Sequence, residues 1–369
     1  MVQPQENSQL LFTPTKIGSL TLPNRLIRSA TAEYLAVDGI PQAGLAPLYR
    51  QLAQGGAGLI ISGHMYIHPS GKANPYMTGI DRDELIPHLA ALVEAVHQEG
   101  GLIAAQINHG GGAAGESSEV WVPSLITSPY LARPAKEITE KEISWLVDAF
   151  AQAARRAKTA GFDAVQIHAA HGYLNNQFLS PFTNRRTDEW GGSPEKRMHF
   201  LRAVCQAVRA QVGKDYPLFI KLASMEGVDG LTPELSLDVI AELEGMGLNA
   251  LEISGGIGGD NRFFSIRKGI VKGKTEAYFR PIAHQARQRT TLPIVLVGGI
   301  RSRAQMEDIL ASRDADFISL SRPFIHEPDL PNRLASGVQD ASTCLGANNC
   351  WPVNTGDAIA CKCPPVKSR

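Results

Sequence analysis

The chain has no excess of charge of either sign: 36 Lys and Arg stand against 36 Asp and Glu, a formal net charge of zero. A nucleic-acid binder shows a basic patch and a protein held on an anionic membrane a basic stripe; neither is visible. No apolar run approaches the ~20 residues that a membrane-crossing helix needs. Met1 to Gln9 is polar and lacks the charged-then-apolar layout of a secretory signal. Cysteine is scarce, and four of the five (Cys344, Cys350, Cys361 and Cys363) lie in the last 26 residues. A chain this long buries a core without disulfide staples, so these read as free thiols. The absences together describe a soluble, cytoplasmic protein with a small-molecule partner, no nucleic acid and no membrane. They leave a homo-oligomer open.

What is present is a repeated phrase in which a helix ends at Gly and a short apolar strand follows. It occurs at Gly55 to Ile61, Gly100 to Ala105, Gly161 to Val165, Gly247 to Ile253 and, less cleanly, Ala315 to Leu320. Leu26 to Ser29, Leu218 to Ala223 and Ile294 to Val297 fit between, which makes eight strands. Helical stretches separate them, with capping-box spacing at Asp81-x-x-Glu84, Thr139-x-x-Glu142 and Ser302-x-x-Gln305 and proline openings at Ser193-Pro194 and Thr232-Pro233. Eight buried strands alternating with helices predict an α/β fold, a closed (β/α)8 TIM barrel. Leu11 to Leu22, with Gly18-Ser19 at its turn, reads as an N-terminal hairpin closing the bottom. The barrel takes residues 1–335, and 336–369 form a Cys-containing tail packed on it or extending from it. Gly110 to Lys136 and Gly172 to Ser193 are the long βα loops. Gly110-Gly-Gly-Ala-Ala-Gly115 has the spacing of a dinucleotide loop, but no helical pattern opens after it, so it is set aside.

In such barrels the site lies at the C-terminal ends of the strands. Reading those ends in turn gives Ser29-Ala30-Thr31-Ala32, Ser62-Gly63-His64, Gln106 and His109, His168 and His171, Lys221, Ser254-Gly255-Gly256, Gly298-Gly299 and Ser321-Arg322. The ring is polar, rich in Gly and carries fixed cations at Lys221 and Arg322. Gly298-Gly299 lets backbone N–H groups approach an anion, Ser302 opens a helix whose N-terminus favours one, and Arg322 adds a charged fork. That is the geometry of a phosphate site. Lys221, ending an apolar strand, must pair or serve. Gln106 can donate and accept at once.

The run His168-Ala-Ala-His171-Gly-Tyr173-Leu174, with Asp188-Glu-Trp-Gly-Gly192-Ser193 beyond it, resembles the Old Yellow Enzyme family of FMN-dependent ene-reductases, over most of residues 10–335. The resemblance implies FMN held by Ser29, Ala30, Thr31, Gly63, Gln106, Lys221, Gly298, Gly299, Ser321 and Arg322, with NADH or NADPH as the hydride donor. It implies Tyr173, His168 and His171 as catalytic residues acting on the C=C bond of an α,β-unsaturated carbonyl compound, in ping-pong order. His168 and His171 would hold the substrate oxygen, and Tyr34 would contact the substrate. Two imidazole N–H donors suit an oxygen that gains charge, and a phenol of pKa ~10 stays protonated to act as the acid.

Several positions depart from the family. Ala32 stands where a Cys or Thr often faces the flavin, Ser321 replaces a Gly, and Lys221 replaces a common Arg. The larger relatives' cluster motif has Ala347 in place of its second Cys, so Cys344 and Cys350 would need both Cys361 and Cys363 to complete four thiolates. Two alternatives stay open: a metal-dependent barrel hydrolase or lyase built on the His168/His171 pair, and a flavin-binding protein without turnover. The residues imply no metal.

Overall fold

The structure, a computed structural model, describes residues 10–126, 134–227, 229–257, 266–352 and 357–363. Eight parallel strands close into a barrel: β1 Leu26–Arg28, β2 Leu59–Tyr66, β3 Ile103–Asn108, β4 Ala164–Ala169, β5 Leu218–Ala223, β6 Ala250–Ser254, β7 Ile294–Leu296 and β8 Phe317–Leu320. Each pairs with its sequence neighbours, and β8 closes on β1 through Ile318↔Leu26 and Leu320↔Arg28. Successive side chains on a strand face opposite sides of the sheet. The outward set, among it Ile60, Ile103, Val165, Ile220, Leu251 and Ile318, packs under the helices in one continuous core. This is burial on both faces, as all-parallel sheets require.

The inward set changes character along the axis. At the bottom it is apolar: Ile27, Leu59, Ile61, Ala104, Ala164, Phe219, Ala250, Val295 and Phe317 form one cluster, plugged from below by Ile17 and Leu22. Those two residues belong to the antiparallel hairpin Thr15–Ile17/Leu20–Leu22 with Gly18 at its turn, as the sequence led us to expect. Two residues higher on the same face come Ser29, Gln106, Gln166, Lys221, Glu252 and Ser319, all buried. The barrel is thus a hydrophobic cup with a polar floor beneath its mouth.

Helix starts follow the caps in part. Thr139 forms a true capping box with Glu142 at the helix Glu140–Thr159, and Ser193 and Thr232 cap the proline openings. Two expected boxes are not used. Asp81 pairs with Arg82, and the helix Ile86–His97 instead begins at a proline turn after the 3-10 segment Asp83–Leu85. Ser302 donates its hydroxyl to Glu276 at 2.6 Å, so it does not cap the helix Arg303–Ala311. The insertion after β3 holds a 3-10 turn, Gly111–Ala113, and a short parallel ribbon, Val120–Val122 with Ala135–Glu137. Part of that insertion, residues 127–133, lies outside the described residues, as does the polar start, residues 1–9. No helix among the described residues is long and apolar enough to cross a membrane.

Thr139→Ala should lower stability by about 1 kcal/mol, the usual worth of an N-cap side chain. Urea denaturation monitored by circular dichroism measures it.

Candidate active site

A cavity of about 280 Å3 opens at the C-terminal mouth of the barrel. Of the residues singled out from the sequence, Ser29, Ala30, Thr31, Gln106, His168, His171, Tyr173, Lys221, Gly298, Gly299, Ser321 and Arg322 line it. Gly63 does not. Its N–H donates to Glu33 Oε1 at 2.9 Å, and a Cβ there would fall 1.8 Å from Glu33 Oε2. Gly63 is small because the buried Arg28–Glu33 pair, 2.8 Å across, passes over it. Tyr34 stands beside the cavity in a left-handed conformation (φ 59), edge-on to Trp351 with ring centroids 6.1 Å apart.

The floor is one hydrogen-bonded network. Lys221 Nζ donates to Ser29 Oγ at 2.8 Å and sits 3.3 Å from Glu252 Oε1. Ser29 and Ser319 donate their hydroxyls to the same Glu252 oxygen at 2.7 and 2.8 Å. Gln166 Nε2 donates to Glu252 Oε2 at 2.9 Å, and Gln106 Nε2 donates to Gln166 Oε1 at 2.6 Å. Lys221 therefore has a partner, and its charge is balanced from the neighbouring strand. Burial raises the pKa of Glu252, but the Lys221 charge and the three donors outweigh it and hold the carboxyl below its usual range.

On the wall, His168 is the last residue but one of β4, and the chain turns at His171 (φ 62) and Gly172 (φ 76). This left-handed pair folds the loop back so that His171 and Tyr173 rejoin His168. Ring centroids lie 5.1 Å apart for His168–His171 and 5.0 Å for His168–Tyr173. The Ala170 backbone N–H donates to His168 Nδ1 at 3.3 Å, which leaves the proton of the neutral ring on Nε2. His171 Nε2 lies 2.7 Å from Ser254 Oγ. Burial first, and then neighbouring positive charge, pushes the pKa of both imidazoles well below the ordinary value. Burial raises that of the Tyr173 phenol. The cluster is neutral at physiological pH: imidazoles that donate, and a phenol that keeps its proton.

At β7 and β8 the expected anion site is altered. Glu276 accepts from the N–H groups of Arg301 and Ser302 at 2.6 and 2.7 Å, so a carboxylate of the chain already occupies the helix N-terminus that Ser302 was expected to offer. What faces the cavity is Gly298, Gly299, Ser321, Arg322 and Arg301, the last with a buried Nε that has no partner among the described residues. A Cβ on Gly298 or Gly299 would lie 2.8 Å from Phe279 or 2.7 Å from Tyr278, so side chains approach this backbone closely. Thr31 donates its hydroxyl to Ser29 O at 2.9 Å and lies 2.8 Å from Ser321 Oγ, tying β1 to β8.

Sequence reasoning placed His64 and Ser254 at strand ends without giving them a role, and it missed Tyr278, Arg301 and the part the tail plays. Cys344, Gly346, Cys350, Trp351 and Ile359 all line the cavity. The tail is pinned where Arg322 NH1 donates to Gly346 O and Asn348 Oδ1, and where the Ile359 N–H donates to Glu33 O. Among the described residues no three His, Cys, Asp or Glu side chains are gathered as ligands for a metal ion.

The family model described as NADH:flavin oxidoreductase / NADH oxidase matches residues 10–341. The chain belongs to that family. It is 37% identical to the "metal reductase" of Desulforamulus reducens over 92% of its own length and 51% of that protein, so it spans about half of that relative. It is 35% identical to the "NADPH dehydrogenase" of Geobacillus thermodenitrificans over 88% of itself and 94% of the relative. The old yellow enzyme homologue of Zymomonas mobilis superposes with a TM-score of 0.77 at 30% identity, covering 90% of this chain and 94% of the other. The Old Yellow Enzyme resemblance read from the motif holds, as does the barrel. The cofactors of the family are FMN and NADH or NADPH. A mouth with an amide and a cation on its floor and glycines beside arginines on its rim has the donor set that a flavin ring and a phosphate call for.

Burial and the Lys221 charge lower the pKa of His64 to about 4, and burial with His68 lowers that of His109 to about 3. Unfolded imidazole titrates near ~6.5, so below that pH the unfolded chain takes up protons that the fold refuses. The stability these two groups confer is whole above ~6.5 and is lost as the pH falls toward about 4 and about 3. Urea midpoints should drop through that window, and His109→Gln should flatten the drop.

Proposed function

We propose that the chain transfers a hydride from NADH or NADPH, by way of bound FMN, to the activated C=C bond of an α,β-unsaturated carbonyl compound. Gln106 and Lys221 would hold the pyrimidine edge of the flavin. Gly298, Gly299, Ser321, Arg322 and the newly found Arg301 would hold its phosphate, with Ser29, Ala30 and Thr31 lining the ring. Gly63, turned toward Glu33, is left out of this set. When bound, FMN supplies the hydride; everything else is positioning and charge.

The observation that carries the reading is the neutral ring cluster. His168 lines the cavity and, with Nδ1 accepting from the backbone, keeps its proton on Nε2. As hydride reaches the β-carbon, negative charge collects on the substrate's carbonyl oxygen, where His168 donates. His171 shares that contact through Nδ1, since its Nε2 is held by Ser254. Tyr173 keeps its proton and delivers it to the α-carbon. Tyr34, beside Trp351 at the rim, contacts the substrate. Nicotinamide and enone would use the same face in turn, which gives ping-pong kinetics.

Tyr173→Phe should bind FMN and accept hydride from NAD(P)H normally, while alkene reduction slows by ~10²-fold or more. Stopped-flow absorbance of the two half-reactions separates them, and unchanged alkene turnover would remove Tyr173 as the acid. Lys221→Ala should slow flavin reduction and shift the flavin potential downward, because a cation near the reduced ring favours its anion. A normal potential would dismiss that role. A protein that binds FMN, bleaches with NAD(P)H and is never recoloured by any enone would be a flavin binder without this reaction.

A further inference from the structure

One imidazole at the mouth belongs to none of these roles. In β2 the register passes from Ile61↔Ala104 to His64↔Gln106, so three steps on β2 match two on β3. Simple alternation after Leu59 and Ile61 would have turned Gly63 inward. The extra residue of this bulge turns His64 inward instead, and His64 lines the cavity. Ser62 seals the bulge, its Oγ accepting the Gln106 N–H at 3.1 Å.

His64 is held much as His168 is. Its Nδ1 lies 3.0 Å from Nδ2 of the fully buried Asn108. An amide nitrogen only donates, so Nδ1 accepts and the neutral ring carries its proton on Nε2. The ring is partly exposed toward the cavity. Its centroid is 6.2 Å from that of His168 and 5.2 Å from that of Tyr173. Two imidazole N–H donors can bridge one oxygen when their centroids are within ~8 Å, twice the sum of ring radius and N···O distance.

We propose that His64 is a third imidazole of the substrate-oxygen site, donating through Nε2 to the same carbonyl oxygen as His168. The proposal rests on the hydride-transfer reading above. It makes the site selective for acceptors whose developing charge sits on a single accessible oxygen, since a donor gains most where charge appears in the transition state.

The test compares His64→Phe, which keeps a flat ring against Tyr173 and deletes the N–H, with His64→Gln, which keeps a donor. Cyclohexanone, an unreactive oxygen ligand, is titrated into the FMN-loaded protein and its Kd read from the flavin absorption change. Cyclohex-2-enone supplies kcat/KM. In the Phe variant, with FMN content and Tm unchanged, Kd should rise about 2- to 10-fold for one neutral hydrogen bond. Its kcat/KM should fall ~10²-fold, as for an oxyanion donor. The Gln variant should recover most of both. A Phe variant within twofold of the parent in both quantities overturns the proposal, as does a Gln variant no better than Phe. A parent protein that bleaches with NAD(P)H but never reduces the enone defeats the hydride-transfer reading instead, and the cyclohexanone titration then decides His64 by itself.

Discussion

The mouth of this barrel is organised by one buried ion pair, Lys221 on β5 against Glu252 on β6, neighbours in register and 3.3 Å apart. Two charges at the axis of a closed barrel are costly to desolvate, and they persist because every remaining oxygen of the carboxylate is met. Ser29, Ser319 and Gln166 supply those contacts from three further strands, and Gln106 joins through Gln166. Six strands are thereby fixed relative to one another at the level where a flat ring would lie. The pair also sets the field of the pocket. A lone lysine would present a full positive charge to whatever binds above it; the Glu252 carboxylate 3.3 Å away offsets that charge.

Much of this was legible in the chain because the strand period is strict. Apolar residues ending in a polar one, as in Leu218-Phe-Ile-Lys221, place the charge at a mouth once eight such strands are counted. The hairpin, the barrel and the strand-end residues of the cavity follow from that period, while His171 and Tyr173 come from the motif after β4. Glu252 was in plain view within Leu251-Glu-Ile-Ser254, but one carboxylate inside a strand does not name its partner, which is fixed only by the parallel register of β5 and β6.

Other features depend on contacts between residues far apart in sequence. Gly63 was expected among the residues that hold the flavin, but the group packed against it is Glu33. Ser302 had the spacing of a cap, yet a loop residue 26 positions earlier, Glu276, satisfies that helix start first. The tail offered no periodic pattern, since its contacts are single hydrogen bonds and Trp351 packing, and it still forms part of the cavity wall. Arg322 shows the overlap most directly: one nitrogen of its guanidinium holds tail oxygens, while the same side chain faces the rim of the cavity.

The bulge in β2 bears on how such a scaffold acquires new chemistry. A sheet closed on itself has no free edge on which to hang an added group, and its loops are the usual place for variation. Inserting a single residue within the staves reverses inside and outside for the next side chain. By Met65↔Ile107 the pairing has resumed, with both residues back in the outer core. The helices behind are left undisturbed, and the lumen gains an imidazole from a wall that would otherwise have offered a glycine.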